Sequence, residues 1–278
     1  MVTLVTGCRS GFGLLTAVAA GRAGHTVYAG LRDLSTAGAL REACQGLDVH
    51  PVQLDVTDPA QREAVIADIE ARHGALDALV NNAGIMIGGA VEEFSEEELR
   101  RLFEVNLFGL WALTRRTLPA MRGRGQGIIV NVSSMAGRAG APSMGMYAAS
   151  KHALNGMSEA MRLELYPHGV RVTLVEPGPY RTDIFSRNLQ VCAAAQAADS
   201  PYREMLDATE AIAEAVHRRA GDPQEVADRI VALIADPNPP LWNPMGPSTW
   251  PRRLLRWLLP GRGYEALIRW LVYRNTTS

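Results

Sequence analysis

Val2-Thr3-Leu4-Val5-Thr6-Gly7-Cys8-Arg9-Ser10-Gly11-Phe12-Gly13 decides the fold, together with the Ala-rich run that follows it to Ala23. Its first five residues are apolar or β-branched, the pattern of a buried strand, and the run after Gly13 reads as a helix. Strand, glycine turn and helix in direct succession give the glycines their meaning. They let backbone approach a diphosphate, and the helix N-terminus offers unpaired amides and a positive dipole end. The spacing is Gly-x3-Gly-x-Gly, not the Gly-x-Gly-x2-Gly of the common dinucleotide fingerprint, and alone it also fits an ordinary tight turn.

Working outward, the sequence predicts a second strand over His25–Ala29, followed by Gly30, Leu31, Arg32 and Asp33. In folds of this kind an acidic residue near this strand end holds the ribose 2′-hydroxyl of NAD, whereas an arginine accommodates the 2′-phosphate of NADP. Leu31 stands where the carboxylate is expected and Arg32 comes next, so NADP(H) is favoured, with Arg9 as a second phosphate partner. The alternative is NAD, with Asp33 on the ribose. A third strand, Val49–Leu54, ends in Asp55-Val56, placed to meet the adenine edge. A helix over Pro59–Arg72 and a fourth strand over Leu76–Val80 follow, closed by Asn81-Asn82-Ala83-Gly84. These residues suit satisfying loop backbone near a cofactor, or a plain turn.

Ser95 followed by Glu98 has the form of a capping box and opens a helix running to about Leu118. Asn106 interrupts its apolar pattern: either it kinks the helix and orders a water, or it is a satisfied core amide. The apolar strand Ile128–Val132 leads into Ser133, Ser134 and then a helix carrying Tyr147 and Lys151. A spacing of four puts these two on one helix face. A free phenol, with a pKa of about 10, is a poor proton carrier at neutral pH, and a neighbouring ammonium favours its ionised form. With a serine hydroxyl on the preceding loop, these are parts for proton transfer at an alcohol or ketone oxygen. Arg171–Val175 is a further strand; Pro177-Gly178 and Thr182 lie at its carboxyl end, where open α/β folds bind ligands.

The alternation of strands and helices predicts an α/β fold, a single Rossmann-like doubly wound parallel sheet with helices on both faces, over residues 1–236. Residues 183–221 read as a helical, mobile lid over the substrate, Pro223–Ala235 as an amphipathic helix, and 237–278 as a C-terminal extension. Hydrophobic residues at 47% supply a core, and a net charge of −1 gives no case for nucleic acid. Cys8, Cys44 and Cys192 form neither a disulfide framework nor a metal pattern, so no metal is expected. No apolar run reaches about 18 residues and no signal segment precedes the first strand, which makes a cytoplasmic location the expectation. From Pro251 onward six arginines face one glutamate, a balance of +5 that leaves −6 on the rest. Two short basic amphipathic helices there suit an anionic membrane surface, a partner subunit or the rim of the pocket.

The chain resembles the short-chain dehydrogenase/reductase family over roughly residues 2–235. The resemblance rests on Thr6-Gly7-x3-Gly11-x-Gly13, Asp55-Val56, Asn81-Asn82-Ala83-Gly84, Asn106, Ser134, Tyr147-x3-Lys151 and Pro177-Gly178, in this order and spacing. It implies a catalytic tetrad. Tyr147 would be the acid/base and Ser134, thirteen residues before it, the group that polarises the substrate oxygen. Lys151 would lower the tyrosine pKa and bind nicotinamide ribose, and Asn106 would hold a water in a proton relay. It also implies that Thr182 contacts the nicotinamide carboxamide. The stretch Val27–Leu34 and the Thr6-Gly7-Cys8 start are similar to the branch of 17β-hydroxysteroid and retinol dehydrogenases. A small hydrophobic carbonyl or alcohol substrate, and a homodimer or homotetramer built through the helices of Asn106 and Tyr147, are what the likeness implies.

Overall fold

The computed structural model of the chain describes residues 1–182, 189–246, 259 and 261–273. Among the described residues the strands are β1 Val2–Thr6, β2 Thr26–Leu31, β3 Val49–Gln53, β4 Ala78–Asn81, β5 Met86–Gly88, β6 Gly127–Val132, β7 Val170–Pro177, β8 Leu189–Val191 and β9 Trp242–Met245. The helices are α1 Gly11–Arg22, α2 Gly38–Ala43, α3 Pro59–His73, α4 Glu96–Phe103, α5 Gly109–Arg124, α6 Gly145–Leu165, α7 Arg203–His217, α8 Gln224–Ala235 and α9 Arg262–Tyr273.

Seven strands form one parallel sheet in the order β3-β2-β1-β4-β6-β7-β9. Alternate residues of each strand face opposite sides. Val5, Val27, Val80 and Val130 meet α1, α2 and α8 on one face, through Val18, Leu40, Ile230 and Leu233. Leu4, Tyr28, Leu79 and Ile129 meet α3, α5 and α6 on the other, through Ile66, Leu113 and Met161. Both faces are covered, which is why the strands read as continuous apolar runs. The chain winds outward from β1 in both directions, so a crevice opens at the carboxyl ends of β1 and β4.

Several expectations are corrected. β2 runs to Leu31, because Gly30 and Leu31 continue the ladder opposite Val52 and Gln53 and the Leu31 side chain sits in the core. The helix opened by Ser95 carries both halves of the capping box, but it does not continue unbroken. Glu104–Phe108 is a π-helical turn centred on Asn106, and α5 starts after it. The 183–221 stretch contains β8, which pairs with the unforeseen β5 in a second, two-stranded sheet, and then α7; its residues 183–188 lie outside the described residues. The extension expected to start at 237 first contributes β9 to the edge of the main sheet. Of its two expected helices, the one over 252–259 falls on residues that, apart from Leu259, are outside those described, and the other is α9.

Candidate active site

The turn between β1 and α1 is held from β4. Thr6 Oγ1 accepts the amides of Asn82 (3.0 Å) and Ala83 (2.9 Å), and Asn82 Nδ2 donates to the Thr6 carbonyl at 2.8 Å. The asparagine motif thus satisfies loop backbone. Gly7 takes φ +72°, and a Cβ on it would lie 3.0 Å from Ala83 Cα. A Cβ on Gly13 would lie 2.3 Å from the Gly7 carbonyl oxygen and 2.5 Å from Asn82 Nδ2. Side chains are therefore excluded where the backbone must fold close on itself. Ser10 occupies the N-cap of α1 with its hydroxyl unbonded to the helix. Phe12 packs edge-on against Tyr180, centroids 5.7 Å apart.

Thr182 faces Gly11 across the cleft: a Cβ built on Gly11 would be 3.5 Å from Thr182 Cβ. Thr182 Oγ1 is buried and meets no hydrogen-bond partner among the described residues. Such an orphan in a polar cleft fits a ligand group. The loop that delivers it starts at Pro177-Gly178, where the Gly178 amide donates to the Met245 carbonyl at 2.8 Å.

At the end of β2, Arg9 and Arg32 are exposed, and both act electrostatically on Asp33. Asp33 caps a 3₁₀ turn, accepting the Ser35 amide at 2.9 Å. Its hydrogen bonds from Ser35, and then the two guanidinium charges, hold its carboxyl below the ordinary range. Asp55 accepts the amide and hydroxyl of Thr57 at 2.9 and 2.8 Å, and Val56 beside it is buried.

Ser134, Tyr147 and Lys151 converge above the end of β6. Ser134 Oγ accepts the Ala136 amide at 3.1 Å. Tyr147 is 4% exposed. Burial pushes its phenol up to about 12, against a hydrogen bond with Ser134 that pulls it down. Lys151 Nζ donates to the Val132 carbonyl at 3.0 Å and lies 5.9 Å from the Tyr147 ring centroid. Burial pulls its ammonium down to about 8. The lysine charge expected to lower the phenol is not among the influences acting on it; burial, which disfavours the charge of each group, sets both directions. Lys151 is the single lysine of the chain, every other strongly basic side chain being arginine.

Asn106 is fully buried in its π turn, a form of helix that recurs at functional sites. Its Oδ1 accepts the Ile85 amide at 2.8 Å, and its Nδ2 donates to the Ile85 carbonyl at 2.9 Å and to Ser150 Oγ at 3.1 Å. The helix departs from α geometry at Asn106, and its amide is satisfied by protein, as a core amide. Asn106 and Lys151 meet at Gly84, where an added Cβ would lie 3.3 Å from Asn106 Oδ1 and 3.6 Å from Lys151 Nζ.

The walls around Tyr147 are apolar: Met86, Ile87, Leu102 and Cys192, with Phe94, Met144, Met146 and Leu206 packed against them. Ser143, in the loop before α6, adopts a left-handed φ of 61°, and its carbonyl accepts the Gly89 amide at 2.9 Å. Sequence reasoning named Thr6 only within the family motif and gave Tyr180 and Asn155 no role. Thr6 carried a signal in the Thr-Gly pair; the others act through contacts remote in sequence.

The family model of the short chain dehydrogenases matches residues 1–191. The 3-ketodihydrosphingosine reductase of Bacteroides thetaiotaomicron is 34% identical, over 88% of this chain and 88% of its own. Human 17-beta-hydroxysteroid dehydrogenase type 1 is 34% identical, over 86% of this chain and 76% of its own. A short-chain dehydrogenase from Streptomyces avermitilis superposes with a TM-score of 0.82 at 35% identity, covering 100% of this chain and 98% of that one. A metagenomic short-chain oxidoreductase solved in complex with NADP gives a TM-score of 0.68 at 28% identity, covering 88% and 95%.

Proposed function

The chain belongs to the short-chain dehydrogenase/reductase family and is an oxidoreductase, and from that premise we propose that it interconverts a ketone or aldehyde and an alcohol on a hydrophobic substrate with NADP(H). The observation that carries this reading is the meeting of Ser134, Tyr147 and Lys151 beneath an apolar wall. A bound nicotinamide supplies or accepts the hydride. In the direction of reduction, Tyr147 gives its phenolic proton to the substrate oxygen and Ser134 donates a hydrogen bond to the same atom. Lys151 stabilises the phenolate left behind, a role open to an amine held near the tyrosine and desolvated with it. Asn106 holds the Ile85 backbone and the α6 face in register with them.

Three features fit the cofactor. The glycine turn closes too tightly for side chains, the α1 N-terminus has no acidic residue in its first turn, and Thr182 offers an unpartnered hydroxyl to the nicotinamide carboxamide. Asp55 and Val56 flank the adenine. NADP is favoured over NAD because Leu31 is spent in the core and Asp33 is engaged by Ser35, while Arg9 and Arg32 bring two guanidinium charges to the place of a 2′-phosphate. The NADP-bound relative and the names of the ketosphingoid and steroid enzymes agree with this reading. Fluorescence titration with NADPH and NADH, then turnover against steroids, retinal, long-chain ketones and short aldehydes, tests it. Tighter NADPH binding with turnover of an apolar carbonyl is expected; tighter NADH binding would move the ribose contact to Asp33, and no binding of either overturns the reading.

Two further contacts belong to it. Phe108 and Trp111 are exposed beside the Asn106 turn, which supports assembly into a homodimer or homotetramer, read by sedimentation. Trp270 and Leu271 are exposed on α9 next to Arg269, which supports peripheral contact with an anionic membrane. Liposome flotation that is lost on deleting residues 251–278 is the expected result. No helix among the described residues is long and apolar enough to cross a membrane.

A further inference from the structure

Ser134 and Tyr147 arrive on different elements, one on the turn after β6 and the other on α6, so something must hold the turn against the helix. Asn155 lies on the α6 stripe defined by Tyr147 and Lys151, one turn beyond the lysine. It is 5% exposed, and its partners bracket Ser134. Its Oδ1 accepts Ser133 Oγ at 2.6 Å, and its Nδ2 donates to the Gly137 carbonyl at 3.0 Å. The same Nδ2 reaches Glu176 Oε1 at 3.2 Å. Glu176 is fully buried at the end of β7 and receives Arg138 Nε at 2.6 Å and Nη2 at 2.8 Å. The Arg138 guanidinium lies 4.1 Å over the Trp242 ring of β9. The clasp is tight: a Cβ on Gly137 would lie 2.7 Å from Asn155 Nδ2 and 2.9 Å from the Lys151 carbonyl oxygen.

We infer that Asn155 is a positioning residue for Ser134, gripping the turn on both sides of that serine and fixing it to the helix that carries Tyr147 and Lys151. Glu176, Arg138 and Trp242 anchor the grip to the sheet. The inference rests on the reading of Ser134 and Tyr147 as the proton-handling pair. The position requires a side chain that accepts from one neighbour and donates to two others, which an amide does. Alanine leaves the Ser133 hydroxyl and the Gly137 carbonyl unpaired in the interior. Aspartate sets a second carboxylate beside Glu176, and it restores donor and acceptor only when it carries a proton. The charged groups facing position 155 are Glu176, Arg138 through Glu176, and Lys151 one turn away.

The test uses wild-type protein, Asn155→Ala, Asn155→Asp, Ser134→Ala and the double variant Asn155→Ala/Ser134→Ala, with NADPH and an apolar ketone. Asn155→Ala should lower kcat by about 10- to 100-fold, the scale of a small misplacement of a reacting group, with the NADPH dissociation constant within about twofold of wild type. In the Ser134→Ala background the same change should cost less than about twofold, since residues that act as one unit are not additive. Asn155→Asp should regain kcat as pH falls and its carboxyl is protonated beside Glu176. If Asn155→Ala fails to fold, the acid rescue of Asn155→Asp carries the test alone. Equal losses in both backgrounds, or no acid rescue, would overturn the inference while wild-type turnover leaves the functional reading standing. Absence of turnover in the wild type itself would overturn both.

Discussion

On the floor of the site, at the carboxyl ends of β1, β4 and β6, polar side chains are tied to backbone atoms. Thr6 holds the Asn82 and Ala83 amides, Asn106 holds the Ile85 amide and carbonyl, and Asn155 holds the Gly137 carbonyl and, side chain to side chain, the Ser133 hydroxyl. The mouth, built from β5, β8 and the first turns of α7, is different. There Met86, Met144, Met146, Cys192 and Leu206 gather in one apolar cluster with Tyr147. Hydrogen bonds are directional and costly to leave unmade when buried, so the floor admits one arrangement of the reacting groups. Methionine is flexible and polarisable and fits irregular shapes, so under the proposed function the mouth would accept a range of apolar outlines. On the proposed reading, chemistry and substrate choice are carried by separate parts of the molecule.

Variants should separate along that line. Tyr147→Phe removes the proton and leaves the packing; turnover should fall by about 10²- to 10⁴-fold with NADPH binding nearly unchanged, measured by absorbance and fluorescence titration. Gly13→Ala drives a methyl into the Gly7 carbonyl 2.3 Å away. Overpacking of this kind costs about 1–3 kcal/mol, read as a lower melting temperature together with lost cofactor binding. A variant that still bound NADPH at wild-type affinity would show the floor to be less rigid than described. Arg32→Ala should raise the NADPH dissociation constant by about tenfold, one charge-assisted contact, and leave NADH almost unmoved. Leu206→Ala, in the mouth, should shift KM among ketones of different shape by less than about tenfold and leave cofactor binding alone. Equal effects of that change on all substrates and on NADPH would dissolve the distinction.

Lys151 gives a pH-dependent version of the same comparison. Its folded pKa, lowered from 10.5 to about 8, means that between these values the folded chain binds fewer protons than the unfolded one. Stability from this group therefore rises with pH across that window, and at pH 7 its burial is a full cost. Tyr147, raised from 10.0 to about 12, works the other way above pH 10. Lys151→Met should abolish turnover yet stabilise the fold at pH 7 by about 1–3 kcal/mol, and should flatten the rise in melting temperature between pH 8 and 10. A lower melting temperature at pH 7 would mean that the bond to the Val132 carbonyl outweighs desolvation.

Much of the floor was legible in the residues. Val2 to Gly13 specified strand, turn and helix, the Ser95–Glu98 box marked a helix start, and Tyr147 and Lys151 stood a turn apart. These signals are local, so they survive in one dimension. The mouth was not legible, because β5 and β8 are three-residue strands too short to show a period. Trp242–Met245 read as an extended tail because Pro244 discourages a strand, yet β9 is an edge strand, where a missing amide is tolerated. The π turn at Asn106 and the partners of Asn155 depend on contacts from elsewhere in the chain. The raised phenol of Tyr147 depends on burial, which spacing along a helix does not report.

The most direct test follows NADPH and NADH absorbance with a bulky apolar ketone, in the wild type and in Tyr147→Phe side by side. Turnover in the wild type with a preference for NADPH, and a variant that binds NADPH but does not turn over, are the expected results. A Tyr147→Phe variant as active as the wild type, or a wild type that binds neither cofactor, would contradict the proposed function.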